Sequence, residues 1–332
     1  MVTESIEMAH AGTTVDESSR FDWHLVDPRR STLSGKIMGH IRLARPAQLI
    51  WLDLCLSLCI FVGITGHMPA SHYLWFILTA VLIDAGACTL NDIGDLDSDK
   101  ASTEGNRSER PLVLGSVSKR AAWTQGIVLF ALGALLAAWL SPYILVCALA
   151  LVVLSYQYSF PPLRMDARPY VQQMFWFTFG ILYFLAVYFY IIHYDHPMHG
   201  FLQAALAMII GVQVFAALGE TLAKDLRDLD NDRAGGKYTT SILLGPTKTA
   251  RYAFYLSCVG LSIWIFSIIV LYGNWGPAAL VMGVIAVVWT FICFKLVREL
   301  TDHYSKASAR KLHLGFILTF ALLLILSMLS FV

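Results

Sequence analysis

The chain has 332 residues, 57% hydrophobic and 14% charged, with a formal net charge of +1 and a mean hydropathy of +0.62. So few charges leave too little polar surface to coat a water-soluble globule of this size, which places the chain in the membrane class, and the balanced charge gives no basic surface for nucleic acid. The six cysteines lie in apolar stretches with no CxxC or Cys/His spacing, so they read as small buried hydrophobes and neither as disulfides nor as zinc ligands.

Residues 1–40 mix acids with Ser and Thr and lack the apolar core of a secretory signal, and they are expected to form a disordered tail ahead of a membrane domain over 41–332. Within the tail, Phe21, Trp23, Leu25 and Val26 are a candidate interfacial patch, although short aromatic clusters are more often local packing. A bilayer-spanning helix needs about 20 apolar residues. Stretches of that order run over 46–66, 72–91, 121–140, 142–159, 170–193, 200–222, 250–272, 276–296 and 311–331, which predicts an all-α, polytopic bundle of nine transmembrane helices. All 24 Lys and Arg fall in the tail or around the loops after the second, fourth, sixth and eighth spans, and none falls in the loops of the other face. By the positive-inside rule the N-terminus and the even-numbered loops are cytoplasmic.

The loop after the second span opens with Asn91-Asp92-Ile93-Gly94-Asp95-Leu96-Asp97-Ser98-Asp99-Lys100. The loop after the sixth opens with Lys224-Asp225-Leu226-Arg227-Asp228-Leu229-Asp230-Asn231-Asp232-Arg233. Both follow one pattern, D-x-x-D-L-D-x-D and then a base. On a helix that continues out of the membrane, Asp92, Asp95 and Asp99 stand at i, i+3 and i+7, within about 60° of one another. Asp225, Asp228 and Asp232 repeat that geometry, while Asp97 and Asp230 point away and read as solvated.

Three carboxylates on one helical face repel each other unless a cation sits between them, and an all-oxygen set suits Mg²⁺. Two such sets, Asp92/Asp95/Asp99 and Asp225/Asp228/Asp232, can grip one diphosphate through bridging metal, with Asp92, Asp95, Asp225 and Asp228 closest to the chemistry. An acidic helix end at the headgroup level explains one cluster as well, but not a matched pair on one face. An EF-hand fails: its sixth position holds Lys100 or Arg233 in place of Gly, and its twelfth Asn106 or Thr239 in place of Glu. Asn91, Lys100, Arg107, Arg110, Arg164, Lys224 and Lys237 are candidate donors to diphosphate oxygens, each also explicable as a solvated positive-inside residue. Deeper in the membrane, Asp53 and Asp84 are costly carboxyls. Asp84 lies eleven residues before Asp95 on the same stripe and is a candidate acceptor of a substrate proton, against the plainer reading of a protonated Asp bonded to a neighbouring helix.

At these residues the chain resembles the UbiA superfamily of intramembrane prenyltransferases, whose signature is N-D-x-x-D-x-x-x-D in the first half and D-x-x-D-x-x-x-D or a shorter form in the second. Further similarity lies in Arg42-Leu43-Ala44-Arg45-Pro46, in Asn106-Arg107-Ser108-Glu109-Arg110-Pro111-Leu112, in Tyr158-Ser159-Phe160-Pro161-Pro162-Leu163-Arg164 and in Gly235, Gly236, Thr239 and Gly245, so that it spans roughly 40–330. The resemblance implies a nine-helix bundle around a lipid-accessible cavity, Mg²⁺ as cofactor, an allylic prenyl diphosphate as donor and a lipid-soluble, typically aromatic, acceptor. It implies no obligate protein partner. Some relatives cyclise the prenyl chain without an acceptor, and those tend to depart from the first motif, which is intact here. A transporter is disfavoured, since the acids cluster at one surface and not at the midplane.

Overall fold

A computed structural model describes residues 32–101, 107, 109–194, 196–198 and 201–331. The aromatic patch at Phe21 to Val26 and the motif residue Asn106 lie outside the described residues. The first helix, α1 (Leu33–Ala44), begins inside the stretch expected to be tail, started by Thr32, whose hydroxyl accepts from the Gly35 N–H. A left-handed Arg45 at φ 49° turns the chain into α2 (Pro46–Thr65). Then come α3 (Tyr73–Gly94), the short α4 (Leu96–Ala101), α5 (Lys119–Leu140), α6 (Pro142–Ser159) and α7 (Val171–His193). The second half holds α8 (Leu202–Ala234), the short α9 (Thr240–Leu244), α10 (Pro246–Leu271), α11 (Pro277–Asp302) and α12 (Lys306–Phe331).

Among the described residues, eight of these helices are long and apolar enough to cross a membrane, against the nine expected; α2, the remaining candidate, contributes the shorter apolar stretch Leu52–Thr65. The turns that separate them follow from local chemistry. Pro stands at the first turn of α2, α6, α10 and α11, where its missing N–H costs nothing, and Ser118 and Ser141 cap α5 and α6 by accepting from the N–H groups of Ala121 and Tyr143. The outer helices show Leu, Ile, Val and Trp side chains to the surface, among them Val287, Trp139 and Leu135, as lipid-facing helices do. Inside, aromatic groups fill the bundle, and two fully packed indoles find partners: the Trp264 Nε1–H donates to Ser327 and that of Trp289 to Ser257, both at 2.9 Å.

Candidate active site

The two acidic motifs emerge at the same end of the bundle, at the C-terminal ends of α3 and α8. The first does not ride on one uninterrupted helix, as its spacing predicts. α3 ends at Gly94, Asp95 serves as its C-cap, and α4 takes over at Leu96. The helical rise nevertheless carries across the joint, because the Asp95 N–H donates to the Asn91 carbonyl at 2.9 Å and the Asp99 N–H to the Asp95 carbonyl at 2.8 Å. Asp92, Asp95 and Asp99 are therefore all buried, and Asp97 is exposed. The second motif stays helical through Ala234, twelve residues beyond the expected end of its span, with Asp225, Asp228 and Asp232 buried and Asp230 exposed. A single π-helical turn over Val214–Glu220 precedes it.

Basic side chains draw the carboxylates together. Arg110 Nη1 stands 2.6 Å from Asp99 Oδ2, 3.3 Å from Asp92 Oδ1 and 3.8 Å from Asp95 Oδ2, so one guanidinium serves the whole first motif. Arg45, at the α1–α2 joint, reaches Asp92 Oδ1 at 2.5 Å. Arg107 joins the motifs: Nη1 is 3.6 Å from Asp99 Oδ1 and Nη2 is 3.3 Å from Asp228 Oδ2. Lys237 bridges Asp95 Oδ1 at 2.8 Å and Asp166 Oδ2 at 2.6 Å, and Lys224 lies within electrostatic reach of Asp225 and Asp228. Burial pushes the Asp95 carboxyl up, but Lys237 and Arg110 outweigh it and hold the group below the usual carboxylate range. At Asp99 burial prevails over Arg110 and pushes the carboxyl to about 6. Burial lowers the Lys237 ammonium, and the carboxylates of Asp95 and Asp166 more than reverse that, so it stays charged.

The second motif is braced from outside. Gln173 on α7 donates to Asp225 Oδ2 at 3.3 Å while accepting from the Thr240 hydroxyl at 3.0 Å. Arg227 forks onto both oxygens of Asp228 at 2.8 and 2.7 Å, and its Nη1 lies 3.0 Å from His313 Nδ1 on α12. His313 Nε2 in turn lies 2.6 Å from Glu220 Oε1, at the end of the π-helical turn.

Of the residues singled out by sequence, the six motif carboxylates, Arg107, Arg110, Lys224 and Lys237 come together here, and Asn91 sits at the joint of α3 and α4. Lys100, one position past the buried Asp99, is exposed on α4. Arg164 also stands aside, 45% exposed in the turn after Pro161-Pro162 and 4.0 Å from Asp166. Sequence reasoning missed Asp166, Gln173, Glu220 and His313, which belong to no repeated spacing and become neighbours of the motifs only by helix packing. Arg45 carried a signal, its place in the Arg-Pro turn before α2.

Among the described residues, no three acidic, His or Cys side chains stand close enough to one another to enclose a metal ion as they are, because basic groups fill the space between the carboxylates. The donor chemistry nonetheless suits Mg²⁺, with carboxylate oxygens alone and a buried Asp99 Oδ1 that makes no hydrogen bond.

Deeper in the bundle, Asp84 lines a small recess between α3, α6 and α7, with Ile83, Ile144, Ala148, Leu151 and Tyr183 among its walls. The Tyr183 hydroxyl donates to the Asp53 carbonyl at 3.1 Å, and the buried Asp53 Oδ2 has no hydrogen-bond partner.

Residues 54–320 match the profile of the UbiA prenyltransferase family. The chain is 25% identical over 265 residues to a digeranylgeranylglyceryl phosphate synthase of Methanoculleus marisnigri, covering 80% of this chain and 88% of the relative. It is 28% identical over 262 residues to a 4-hydroxybenzoate octaprenyltransferase of Acidovorax ebreus, covering 77% and 83%. The fold is similar to that of a UbiA homolog from Archaeoglobus fulgidus bound to DMAPP and Mg²⁺, with a TM-score of 0.66 at 22% identity over 88% of this chain and 98% of that one.

Proposed function

The chain belongs to the UbiA prenyltransferase family, and from that membership we propose that it transfers a prenyl group from an allylic prenyl diphosphate to an aromatic or other lipid-soluble acceptor, with Mg²⁺ as cofactor. The observation that carries this reading is Arg107, whose guanidinium touches Asp99 of the first motif and Asp228 of the second, so that both carboxylate sets border one interval. Asp92, Asp95 and Asp99 from one side and Asp225, Asp228 and Asp232 from the other hold the metal. When bound, Mg²⁺ neutralises the diphosphate and makes it a better leaving group. Arg107, Arg110, Lys224 and Lys237 are the donors for the remaining oxygens, with Asn91 beside them.

In the transfer the bond between the allylic carbon and the bridging oxygen breaks, and its electron pair leaves with the diphosphate. The acceptor's nucleophilic carbon or oxygen forms the new bond to that carbon, and the acceptor's proton passes to a carboxylate, for which Asp84 is the candidate. Water must be kept from the electron-deficient carbon, and the apolar interior of the bundle serves that need. The intact Asn91-Asp92-x-x-Asp95-x-x-x-Asp99 motif supports transfer over cyclisation. The motif face is cytoplasmic on this reading, since it carries the Lys and Arg residues.

Membranes holding the protein, supplied with Mg²⁺, geranyl diphosphate and a panel of phenolic acceptors, are expected to yield an acceptor conjugate. EDTA, Asp92→Ala and Asp225→Ala should each reduce that yield by at least about 100-fold, a loss of the size that follows removal of electrostatic groups at a reacting centre, while the variants still elute as monodisperse protein. A cyclic hydrocarbon formed without acceptor, or turnover that persists in EDTA, would sink the proposal.

A further inference from the structure

Asp166 belongs to neither acidic motif. It sits on the one-turn helix Met165–Ala167 between α6 and α7 and is 4% exposed. Its Oδ2 lies 2.6 Å from Lys237 Nζ, nearer than Asp95 Oδ1 at 2.8 Å, and its buried Oδ1 makes no hydrogen bond. Arg164 stands off at 4.0 Å and is largely in solvent. Asp166 is thus a buried carboxylate whose close cationic partner is an ammonium that it shares with a motif aspartate.

The backbone ties the turn of Asp166 to the segment that carries Lys237. The Tyr238 N–H donates to the Ala167 carbonyl at 3.3 Å, and the Tyr170 N–H donates to the Thr240 hydroxyl at 2.8 Å, which in turn donates to Gln173 on α7 at 3.0 Å. The Lys237 N–H donates to the Asp232 carbonyl at 2.9 Å. These bonds keep Lys237 beside Asp166 whether or not its ammonium also touches Asp95. An ammonium is a point charge with three donors on a flexible stem, so it can release one carboxylate and keep the other. On Asp95 Oδ1 it occupies the position from which a cation bound to that oxygen would repel it. Moving a buried ammonium off its carboxylate is costly unless a second carboxylate receives it.

We propose that Asp166 is a positioning residue that takes over the Lys237 ammonium when Asp95 gives up Oδ1 to the metal, leaving a free Lys237 N–H for a diphosphate oxygen. This rests on the prenyl-transfer reading and deepens it, by assigning a role to a carboxylate outside both motifs. Lys237 neutralises Asp95 in the empty site, and Asp166 keeps that ammonium from competing with the metal in the loaded one. Asp166 acts through Lys237 alone, so its effect must vanish when Lys237 is removed.

The test measures geranyl diphosphate binding to the full chain in detergent by calorimetry, as a function of Mg²⁺. Asp166→Asn, which keeps volume and removes the charge that draws Lys237 off Asp95, is expected to raise the Mg²⁺ concentration for half-maximal binding at least about 10-fold. Asp166→Glu, which keeps the carboxylate, should recover most of that loss. In a Lys237→Met background, adding Asp166→Asn should change the half-maximal concentration by no more than about 2-fold. An unchanged Mg²⁺ dependence in Asp166→Asn overturns the inference, and so does a rise of equal size in the Lys237→Met background, which would show that Asp166 acts on the metal or on the fold directly. If the Asp166 variants fail to fold, a cryo-EM structure of the unmodified protein with Mg²⁺ and geranyl S-thiolodiphosphate decides. Lys237 Nζ is expected on Asp166 and out of hydrogen-bond reach of Asp95; an ammonium still on Asp95, or gone from Asp166, overturns the inference. Absence of Mg²⁺-dependent geranyl diphosphate binding by the unmodified protein brings down the prenyl-transfer reading and this inference with it.

Discussion

His313 reaches the second motif through Arg227. A guanidinium has donors and no acceptor, so His313 Nδ1 accepts from Arg227, and its Nε2 hydrogen then donates to Glu220 Oε1. The chain from Glu220 through His313 and Arg227 fixes the fork that Arg227 places on Asp228. Groups that orient metal-binding carboxylates typically cost 10–100-fold in metal affinity when removed. His313→Leu is accordingly expected to raise the Mg²⁺ concentration for half-maximal activity about 10–100-fold, whereas His313→Gln, which can still accept from Arg227, should recover much of it. A Mg²⁺ titration unchanged by both substitutions would show that Asp228 needs no such support. At this scale the spacing of the Asp residues made the two motifs legible, because a helix turns three regularly spaced letters into one face. His313, Glu220, Gln173 and Asp166 were not legible, since each meets its carboxylate or cation across helices far apart in the chain.

Helix α8 meets α10 without side chains between the backbones. A Cβ on Gly211 would stand 2.5 Å from the Trp264 nitrogen and 2.9 Å from the Gly260 carbonyl oxygen, and one on Gly260 would stand 2.5 Å from the Phe215 nitrogen. In lipid, where apolar side chains gain nothing by leaving water, such close backbone approach is what holds helices together. Gly211→Val and Gly260→Val should each destabilise the protein by about 1–3 kcal/mol, the usual cost of overpacking, seen as a lower melting temperature in detergent. Gly283→Ala on α11, where a Cβ meets nothing within 4 Å, should be neutral or stabilising by up to about 1 kcal/mol. Equal melting of Gly211→Val and Gly283→Ala would refute the close-packing argument. Helix existence and bounds were readable from hydropathy to within a few residues at most ends. Among the features that were not are the interruption at Asp95 and the long continuation of α8. Both lie where the chain leaves its apolar span and tertiary contacts, such as Lys237 on Asp95, decide the local backbone.

For the whole molecule, the sorting of every Lys and Arg to one face makes a prediction about orientation. Nine spans and a cytoplasmic N-terminus, as the sequence predicts, would put the end of α12 on the opposite side from the motifs. In a bacterial host, alkaline phosphatase fused after Val332 should be active and green fluorescent protein fused there dark, while fusions after Gly115 should give the reverse. Matching signals from both sites would refute the nine-span topology.

Composition alone dictated a membrane bundle, because a chain with so few charges has no other way to satisfy its backbone. Periodic carboxylates alone dictated where metal and diphosphate chemistry was to be sought, because like charges on one face demand a cation. Only the tertiary structure decided that Arg107 stands between Asp99 and Asp228, that Asp84 lines a recess beside Tyr183, and that Lys100 and Arg164 are exposed. Those relations depend on how separate helices pack against one another, and a pattern repeated along one chain carries no record of the distance between two of its parts.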